Sequence, residues 1–242
     1  MKRSFAVALR VWQQLSHDPR TIALIVVMPS ILMSVFYWVY HSKPLIFAAI
    51  GPVLIGLFPF IIFFLITSIT MVRERNSGTL ERLMTTPLAR GELITGYAIA
   101  LSVASLVQAA VTTAASIWLL GLDVAQPWGV LLFAVISSVV GTALGLLASA
   151  FARTEFQAVQ FIPLAIIPQF LLCGMLVPRD QMVDILYWFS EALPLSHLVD
   201  AFNLLTSESS FTAKLWGKLG VLIAFAIGFL VLASLTLRRR TP

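Results

Sequence analysis

The sequence predicts an all-α integral membrane protein with about six transmembrane helices, and three observations lead to this fold class. Of its 242 residues, 59% are hydrophobic and only 11% are charged, whereas roughly a quarter of the residues of a soluble domain carry charge. Six apolar runs approach or exceed the length of about 20 residues that a spanning helix needs. The basic residues lie mostly outside these runs, with a strong bias to one side. The runs cover residues 22–40, 46–71, 94–120, 129–151, 157–177 and 217–237.

The bias of the basic residues predicts the orientation, because positively charged loops stay in the cytoplasm. With the N-terminus inside, only Lys43, Arg179, Lys214 and Lys218 of the 16 Lys and Arg residues lie outside. Both termini are therefore expected in the cytoplasm. The net charge of +5 then reflects topology and contact with anionic lipid headgroups, and it indicates no nucleic-acid site.

Residues 1–20 predict an amphipathic helix that lies in the membrane interface. Apolar side chains recur at helical spacing along 2–16, and Asp18-Pro19 ends the pattern before the first span. Such a helix is either a topology anchor or a mobile element at a lateral gate. The apolar positions are Phe5, Ala8, Leu9, Trp12 and Leu15.

Two later runs carry unusual residues. Small side chains at every fourth position of the fourth run let another helix approach closely, within the subunit or across a dimer. They are Ser137, Gly141, Gly145 and Ser149. The fifth run contains Pro163, Pro168 and Gly174, which predict a broken or re-entrant segment near its outer end. Residues 178–214 then predict short external amphipathic helices before the sixth span, which either cap a translocation path or anchor in the interface.

A charged segment, residues 73–92, separates the second and third runs. Leu80, Leu83 and Met84 fall on one face of a short helix that begins near Thr79. Gly78 allows the turn at its entrance, and Pro87 closes it. The apolar face is suited either to a groove on a partner protein or to the membrane surface.

Several functions are disfavoured by what the sequence lacks. The six runs contain no Asp, Glu, Lys, Arg or His except Lys218 near the outer end of the last, which disfavours a proton-driven pump or a secondary transporter. There is no G-x-x-x-x-G-K-[S/T] loop, so the chain is not expected to hydrolyse ATP by itself. No metal site is expected from His17, His41 and His197, and no catalytic cluster or G-x-S-x-G turn indicates a membrane enzyme.

Two stretches resemble a known family. The run "RERNSGTLERLMTTPLARGELITG" is similar to the signature of ABC type-2 exporter permeases, in particular the drug-resistance and nodulation branch. "FLLCGMLVPRDQM" and "EALPLSHLVDAFNLL" resemble a second region of that family, although Cys173 stands where a serine is common, and "SHDPR" resembles its pre-span motif. The resemblance implies a single transmembrane domain over residues 1–242. The matching positions are Glu74, Gly78, Thr79, Leu80, Glu81, Leu83, Thr86, Pro87, Arg90, Glu92 and Gly96, and in the second region Gly174, Pro178, Leu193, Pro194, His197 and Asp200.

The resemblance also implies a role for the charged segment. In that family the helix between the second and third spans is a cytoplasmic coupling helix, seated in a cleft of an ATPase subunit. Two such subunits, which hold ATP and Mg²⁺, would pair with two permeases, either two copies of this chain or this chain and a related one, in a bacterial-type cytoplasmic membrane. Glu74 and Glu81 would orient the helix through charge-assisted hydrogen bonds. The residues expected to couple to the ATPase are Arg73, Glu74, Arg75, Gly78, Thr79, Leu80, Glu81, Leu83, Met84, Pro87 and Arg90.

The substrate is less constrained. An uncharged interior with scattered glutamines suits an amphiphilic drug, a lipid or a lipid-linked molecule, and a lipid-linked polysaccharide remains an alternative. A sensor or scaffold without transport is a further alternative. Gln108, Gln157, Gln160 and Gln169 are candidates for the substrate path, although most of them are expected to bond between helices instead.

Overall fold

The computed structural model describes residues 2–85, 89–208 and 210–236, without the side chains at positions 2, 80, 81, 84 and 90. These residues form ten α-helices and one 3-10 turn at Arg179–Gln181, with no strand among them. The helices are α1 Lys2–Ser16, α2 Pro19–Val39, α3 Pro44–Asn76, α4 Thr79–Met84, α5 Arg90–Trp118, α6 Pro127–Ser149, α7 Glu155–Leu172, α8 Asp184–Glu191, α9 Pro194–Ser207 and α10 Ala213–Thr236.

Six of these helices are long and apolar enough to cross a membrane, namely α2, α3, α5, α6, α7 and α10. They match the six predicted runs in order, so the prediction of an all-α membrane protein is confirmed. The clearest difference is at the end of α3, which continues beyond residue 71 as far as Asn76. The first charges of the segment 73–92 therefore belong to the last turn of a spanning helix.

Helices α3 and α6 form the centre of the bundle. Their apolar windows are 67% and 61% buried, whereas those of α2, α7 and α10 are 17%, 17% and 22% buried and face outward. Backbone contact is close: a Cβ on Gly141 would lie 2.3 Å from the carbonyl oxygen of Phe60, and one on Gly145 would lie 2.5 Å from that of Phe64.

Hydroxyl groups join the same two helices. Ser137 Oγ on α6 donates to the carbonyl of Gly56 at 2.7 Å, and Ser68 Oγ on α3 donates to that of Gly145 at 3.0 Å. Ser149 bonds within its own helix, to Leu146. The small-residue stripe of α6 is thus a packing surface inside the subunit, because α3 already occupies it.

Helix α7 runs through Pro163 and Pro168 without interruption and ends at Leu172. The expectation that these prolines would break the helix is therefore wrong, while the expected break near the outer end falls at Gly174, whose φ is +91°. Only glycine adopts this conformation without strain. The chain then turns through Arg179–Gln181 into α8 and α9, the two short helices that precede α10.

Candidate functional site

The short helix α4 lies between two spanning helices, as the sequence predicts. Gly78 enters it with φ of +71°, and the Oγ atoms of Ser77 and Thr79 lie 2.9 Å apart at the same turn. Pro87, the predicted end of the helix, and Thr86 lie outside the described residues. So do the side chains of Leu80, Glu81, Met84 and Arg90, and their predicted roles remain predictions.

One face of α4 packs on the protein itself. The half-buried side chain of Leu83 contacts a cluster that includes Val11 of α1 and Ile94 of α5. Arg82 and Thr85 are exposed. At Leu83, the side expected to enter a partner groove or rest on lipid is therefore turned toward the bundle, whereas Arg82 and Thr85 point outward. The remaining buried members of the cluster are Val7, Ala8, Met71, Leu93, Tyr97, Ala100, Leu146 and Ala233.

Glu74, on the last turn of α3, is 6% exposed and is held by α1. Arg10 Nη2 donates to Glu74 Oε1 at 3.0 Å. With its amide oriented to suit both neighbours, Gln14 accepts from Arg10 at 3.0 Å and donates to Glu74 Oε1 at 3.3 Å. A buried carboxylate needs such a partner, because an unpaired charge away from water is costly. Glu74 thus fixes α1 to the base of α4.

Three neighbouring residues hold the same turn on its other side. Arg73 donates through Nε and Nη2 to both carboxylate oxygens of Glu155, at 3.1 and 2.9 Å. Arg75 donates to the carbonyls of Ser149 and Ala152 at 2.8 and 3.1 Å, and Asn76 Nδ2 donates to that of Arg153 at 3.2 Å. Carbonyl groups at the end of a helix lack intrahelical partners and favour a cation, so Arg75 completes the end of α6.

Helix α1 packs closely on α5. A Cβ on Gly96 would lie 2.6 Å from the side chain of Val7 and 2.8 Å from the carbonyl oxygen of Ser4. Phe5, Leu9 and Trp12 are exposed on the opposite side. The glycine at position 96 is therefore required for this helix contact, and α1 keeps an outward apolar face.

The four candidate glutamines do not form one site. Gln108 donates to Thr112 of its own helix at 2.9 Å, and Gln169 donates to the carbonyl of Ala165 at 2.7 Å. Gln157 accepts from the backbone of Arg153 at 2.8 Å at the start of α7, and Gln160 is exposed. In the described part of the chain no hydrogen bond joins two of them, and the expected bonds between helices are replaced by bonds within a helix or its cap.

A second ionic network links the segment 178–214 to α10. Arg179 Nη1 donates to Asp200 at 2.6 Å, its Nε donates to Ser190 at 2.9 Å, and its remaining terminal nitrogen bonds Glu191. Lys218 also donates to Asp200, at 2.6 Å. Arg179 therefore connects the 3-10 turn to both α8 and α9.

His197 lies within this network. Its Nδ1 is 3.4 Å from Nζ of Lys218, and its Nε2 is 2.8 Å from the carbonyl oxygen of Glu191. Among the described residues, no group of three or more His, Cys, Asp and Glu side chains could hold a metal ion. The hydrogen bonds of this cluster join the 3-10 turn to α8, α9 and α10.

Sequence reasoning missed the partners of the charged turn. Arg10 and Gln14 are four residues apart and share one face of α1, which is the pattern that could have indicated a polar contact. Glu155 follows Thr154, whose side chain accepts from the backbone of Gln157 and caps α7. The partner of each charged residue depends on how the helices pack. Residue spacing along the chain does not show which partner that is.

A protein-family model described as ABC-2 type transporter matches residues 3–207. The linearmycin resistance permease protein LnrN of Bacillus subtilis is 25% identical over 65% of this chain and 41% of its own length. The probable multidrug ABC transporter permease YbhR of Escherichia coli is 27% identical over 71% of this chain and 47% of its own length. The chain thus spans less than half the length of these two relatives. Because the family model covers most of the chain, in a bundle of six helices fit to span a membrane, this protein belongs to the ABC-2 type transporter family.

Proposed function

We propose that the chain is the membrane-spanning permease subunit of an ATP-driven exporter. The observation that carries this proposal is the exposure of Arg82 on α4 and of Thr85 just beyond it, next to a turn of α3 that is fixed by ion pairs to both α1 and α7. A partner that pushes on α4 would therefore move three helices together. The partners are two ATPase subunits, which hold ATP and Mg²⁺, together with a second permease, either another copy or a related chain.

ATP acts in this scheme by selecting one conformation. Nucleotide binding closes the ATPase dimer, the two α4 helices follow, and the permease shifts between inward-open and outward-open populations. ATP drives the shift only because the closed dimer binds one permease state better than the other. The buried contact of Arg10 with Glu74 resists bending at the base of α4, so displacement passes into α1 and α3.

The orientation follows from the position of α4. An ATPase is a cytoplasmic partner, which places α4, α1 and the end of α3 on the cytoplasmic side, in agreement with the predicted topology. Arg179, Asp200 and Lys218 are then external. Both termini are cytoplasmic in this arrangement.

The proposed substrate is a hydrophobic or amphiphilic molecule, such as a drug or a lipid. Support comes from the relatives, which are named for linearmycin resistance and as probable multidrug permeases. The apolar spanning helices are consistent with such a cargo. Among the described residues, no specific contact favours a lipid-linked polysaccharide or a purely sensory role.

Co-purification with the ATPase tests this proposal. The permease is co-expressed with its candidate ATPase, and Arg82→Glu is compared with Arg3→Glu, a matched charge reversal on α1. Reversal at exposed Arg82 is expected to reduce ATPase recovery about tenfold, as expected for the loss of one charged interface contact, while Arg3→Glu retains it. Equal recovery with both variants would contradict docking through the outward face of α4.

A further inference from the structure

A cavity of about 330 Å³ lies where α1, α2, α3 and α5 meet, beside the start of α4. Ligand pockets in proteins have volumes of about 300 to 1,000 Å³, so it is large enough for a small headgroup. Its lining is mixed. Leu15, Ile66 and Leu101 contribute apolar side chains, while Asp18, Arg73 and Glu74 contribute charge. Such a lining is complementary to an amphiphile.

The charges of the cavity are not equally available. Glu74 Oε1 already accepts from Arg10, while Glu74 Oε2 is buried and has no hydrogen-bond partner among the described residues. Arg73 uses Nε and Nη2 for Glu155, which leaves Nη1 without a hydrogen bond to any described residue, and its side chain is 65% exposed. Arg73 therefore retains a donor for an anionic group.

Asp18 supplies the opposite charge. Its carboxylate accepts from the backbone N and Oγ1 of Thr21 at 3.2 and 2.6 Å, which caps α2. A carboxylate has about four acceptor positions, so about half remain free. The hydrogen bond from the Thr21 hydroxyl, followed by that from its backbone N–H, lowers the pKa of Asp18, and the group is ionised at neutral pH.

We propose that this cavity binds the headgroup of a zwitterionic phospholipid that carries a primary ammonium, of the phosphatidylethanolamine class. The phosphate lies at Arg73, the ammonium donates to Asp18, and the first acyl carbons pass over Leu15. The lipid comes from the leaflet that faces α1. A choline headgroup has no N–H to donate to Asp18, and a purely anionic headgroup brings no cation to the acceptor positions that Thr21 leaves free.

The neighbourhood of the cavity supports a lipid as the occupant. A second cavity of about 70 Å³ lies nearby. It is lined by Trp12 and Leu15 together with the apolar side chains of Ile25 and Ala104. The two cavities share Leu15, so a chain that leaves the polar cavity meets an apolar surface directly. Exposed Phe5 and Leu9 on α1 indicate that membrane lies close by.

Occupancy would reach the coupling helix, because Thr79 at the start of α4 lines the same cavity. A bound headgroup would thus brace the turn that carries α4. Lipid binding concerns the permease alone and does not rest on the proposed function. A negative result for lipid binding would therefore not contradict the exporter proposal, and the reverse also holds.

The test is lipid retention by the purified permease, measured by native mass spectrometry after equilibration with short-chain phosphatidylethanolamine, phosphatidylcholine or phosphatidylglycerol. Asp18→Asn removes the charge but keeps a good cap for α2. Arg73→Gln removes the proposed phosphate contact. Glu155→Gln is the matched control, since it breaks the same ion pair without altering the lining of the cavity.

The expected result is one bound phosphatidylethanolamine, preferred over phosphatidylcholine by about tenfold, as expected for one charge-assisted hydrogen bond. The preference falls in Asp18→Asn and binding falls in Arg73→Gln, while Glu155→Gln retains both. Equal retention of the three lipids, or equal loss in Arg73→Gln and Glu155→Gln, would overturn the proposal. Binding of free O-phosphoethanolamine as tight as that of the lipid would overturn it as well, because the acyl chain would then contribute nothing.

Discussion

Arg10 and Glu74 are 64 positions apart in the chain, yet their side chains meet at 3.0 Å between Nη2 and Oε1. Glu74 has 8% of its side chain exposed and Arg10 has 27%. The contact joins the first helix of the protein to the turn that carries α4. It also explains why a carboxylate is tolerated at a buried position next to a membrane span, since the guanidinium compensates its charge.

Removing one partner of this pair should destabilise the protein more than removing both. Arg10→Gln leaves a buried carboxylate, and we expect a loss of about 2 kcal/mol, below the roughly 3–5 kcal/mol of fully buried pairs because Arg10 is partly exposed. Glu74→Gln restores part of that loss when added to Arg10→Gln. The measurement is the thermal unfolding of the single and double variants.

The control for this pair is Arg3→Gln, because Arg3 lies on the same helix with 57% of its side chain exposed, 4.0 Å from Glu92. It should change the melting temperature little. If the Arg10 and Glu74 variants behave additively, the two residues do not interact and the description of the α1 anchor is wrong.

The contact between α3 and α6 should not accept a methyl group. Gly141→Ala places a Cβ 2.3 Å from the carbonyl oxygen of Phe60, so the helices must separate, at a cost of about 1–3 kcal/mol or more. We expect a lower yield of monodisperse protein and a lower melting temperature. Gly228→Ala on α10 has nothing within 4 Å of the added atom and should match the native protein. Equal behaviour of the two variants would contradict the close packing of α3 on α6.

Arg179 should hold the external helices in place through its geometry as well as its charge. Its planar fork reaches Ser190, Glu191 and Asp200, and its guanidinium carbon lies 5.2 Å from the centre of the Tyr187 ring. Arg179→Lys keeps one charge but cannot make all of these contacts. Faster amide hydrogen exchange across α8 is expected in this variant. The control Arg82→Lys, at an exposed position on α4, should leave the exchange rate of α8 unchanged. Unaltered exchange in Arg179→Lys would mean that charge alone suffices.

The Glu191 contact predicts a dependence on pH. Burial raises the pKa of Glu191, but the hydrogen bond and positive charge of Arg179 outweigh it and hold the pKa below its ordinary value. A lowered pKa means that the ionised group stabilises the fold above the ordinary value of about 4.3, and that this contribution is lost as the pH falls through the lower value. The difference in melting temperature between native protein and Glu191→Gln should therefore be constant above about pH 5 and shrink below about pH 4. A difference that grows on acidification would contradict the sign of this shift.

The sequence predicted the six spanning helices and the short helix at Thr79, because hydropathy, glycine and helical spacing are local signals. It did not predict which charges meet. Arg73 contacts Glu155, which is 82 residues away, and Arg179 contacts Asp200, which is 21 residues away. Such pairs are set by how the helices pack, and residues far apart in the chain give no periodic signal.

Leu83 shows a second limit of prediction from the sequence, namely the contacts of the apolar face of α4. Helical spacing predicts that Leu80, Leu83 and Met84 share one face, but it could not say which part of the protein or of a partner that face contacts. In the structure Leu83 packs on the cluster of α1 and α5, so its apolar side chain helps to fix α4 to the permease. Of the side chains described between Thr79 and Thr85, Arg82 and Thr85 are exposed.

Site-specific crosslinking to the ATPase tests most directly whether α4 is the element that docks on it. Thr85→Cys is placed in a Cys173→Ser background, which removes the only cysteine of the chain, and is loaded with a thiol-reactive photocrosslinker. Ser42→Cys, exposed in the turn between α2 and α3, is the matched control at the opposite end of these spans. If the ATPase docks at α4, the co-purified complex should give an ATPase adduct from position 85 and none from position 42. A complex that co-purifies but forms its adduct from position 42, or from neither position, would contradict the assignment of α4 as the coupling element.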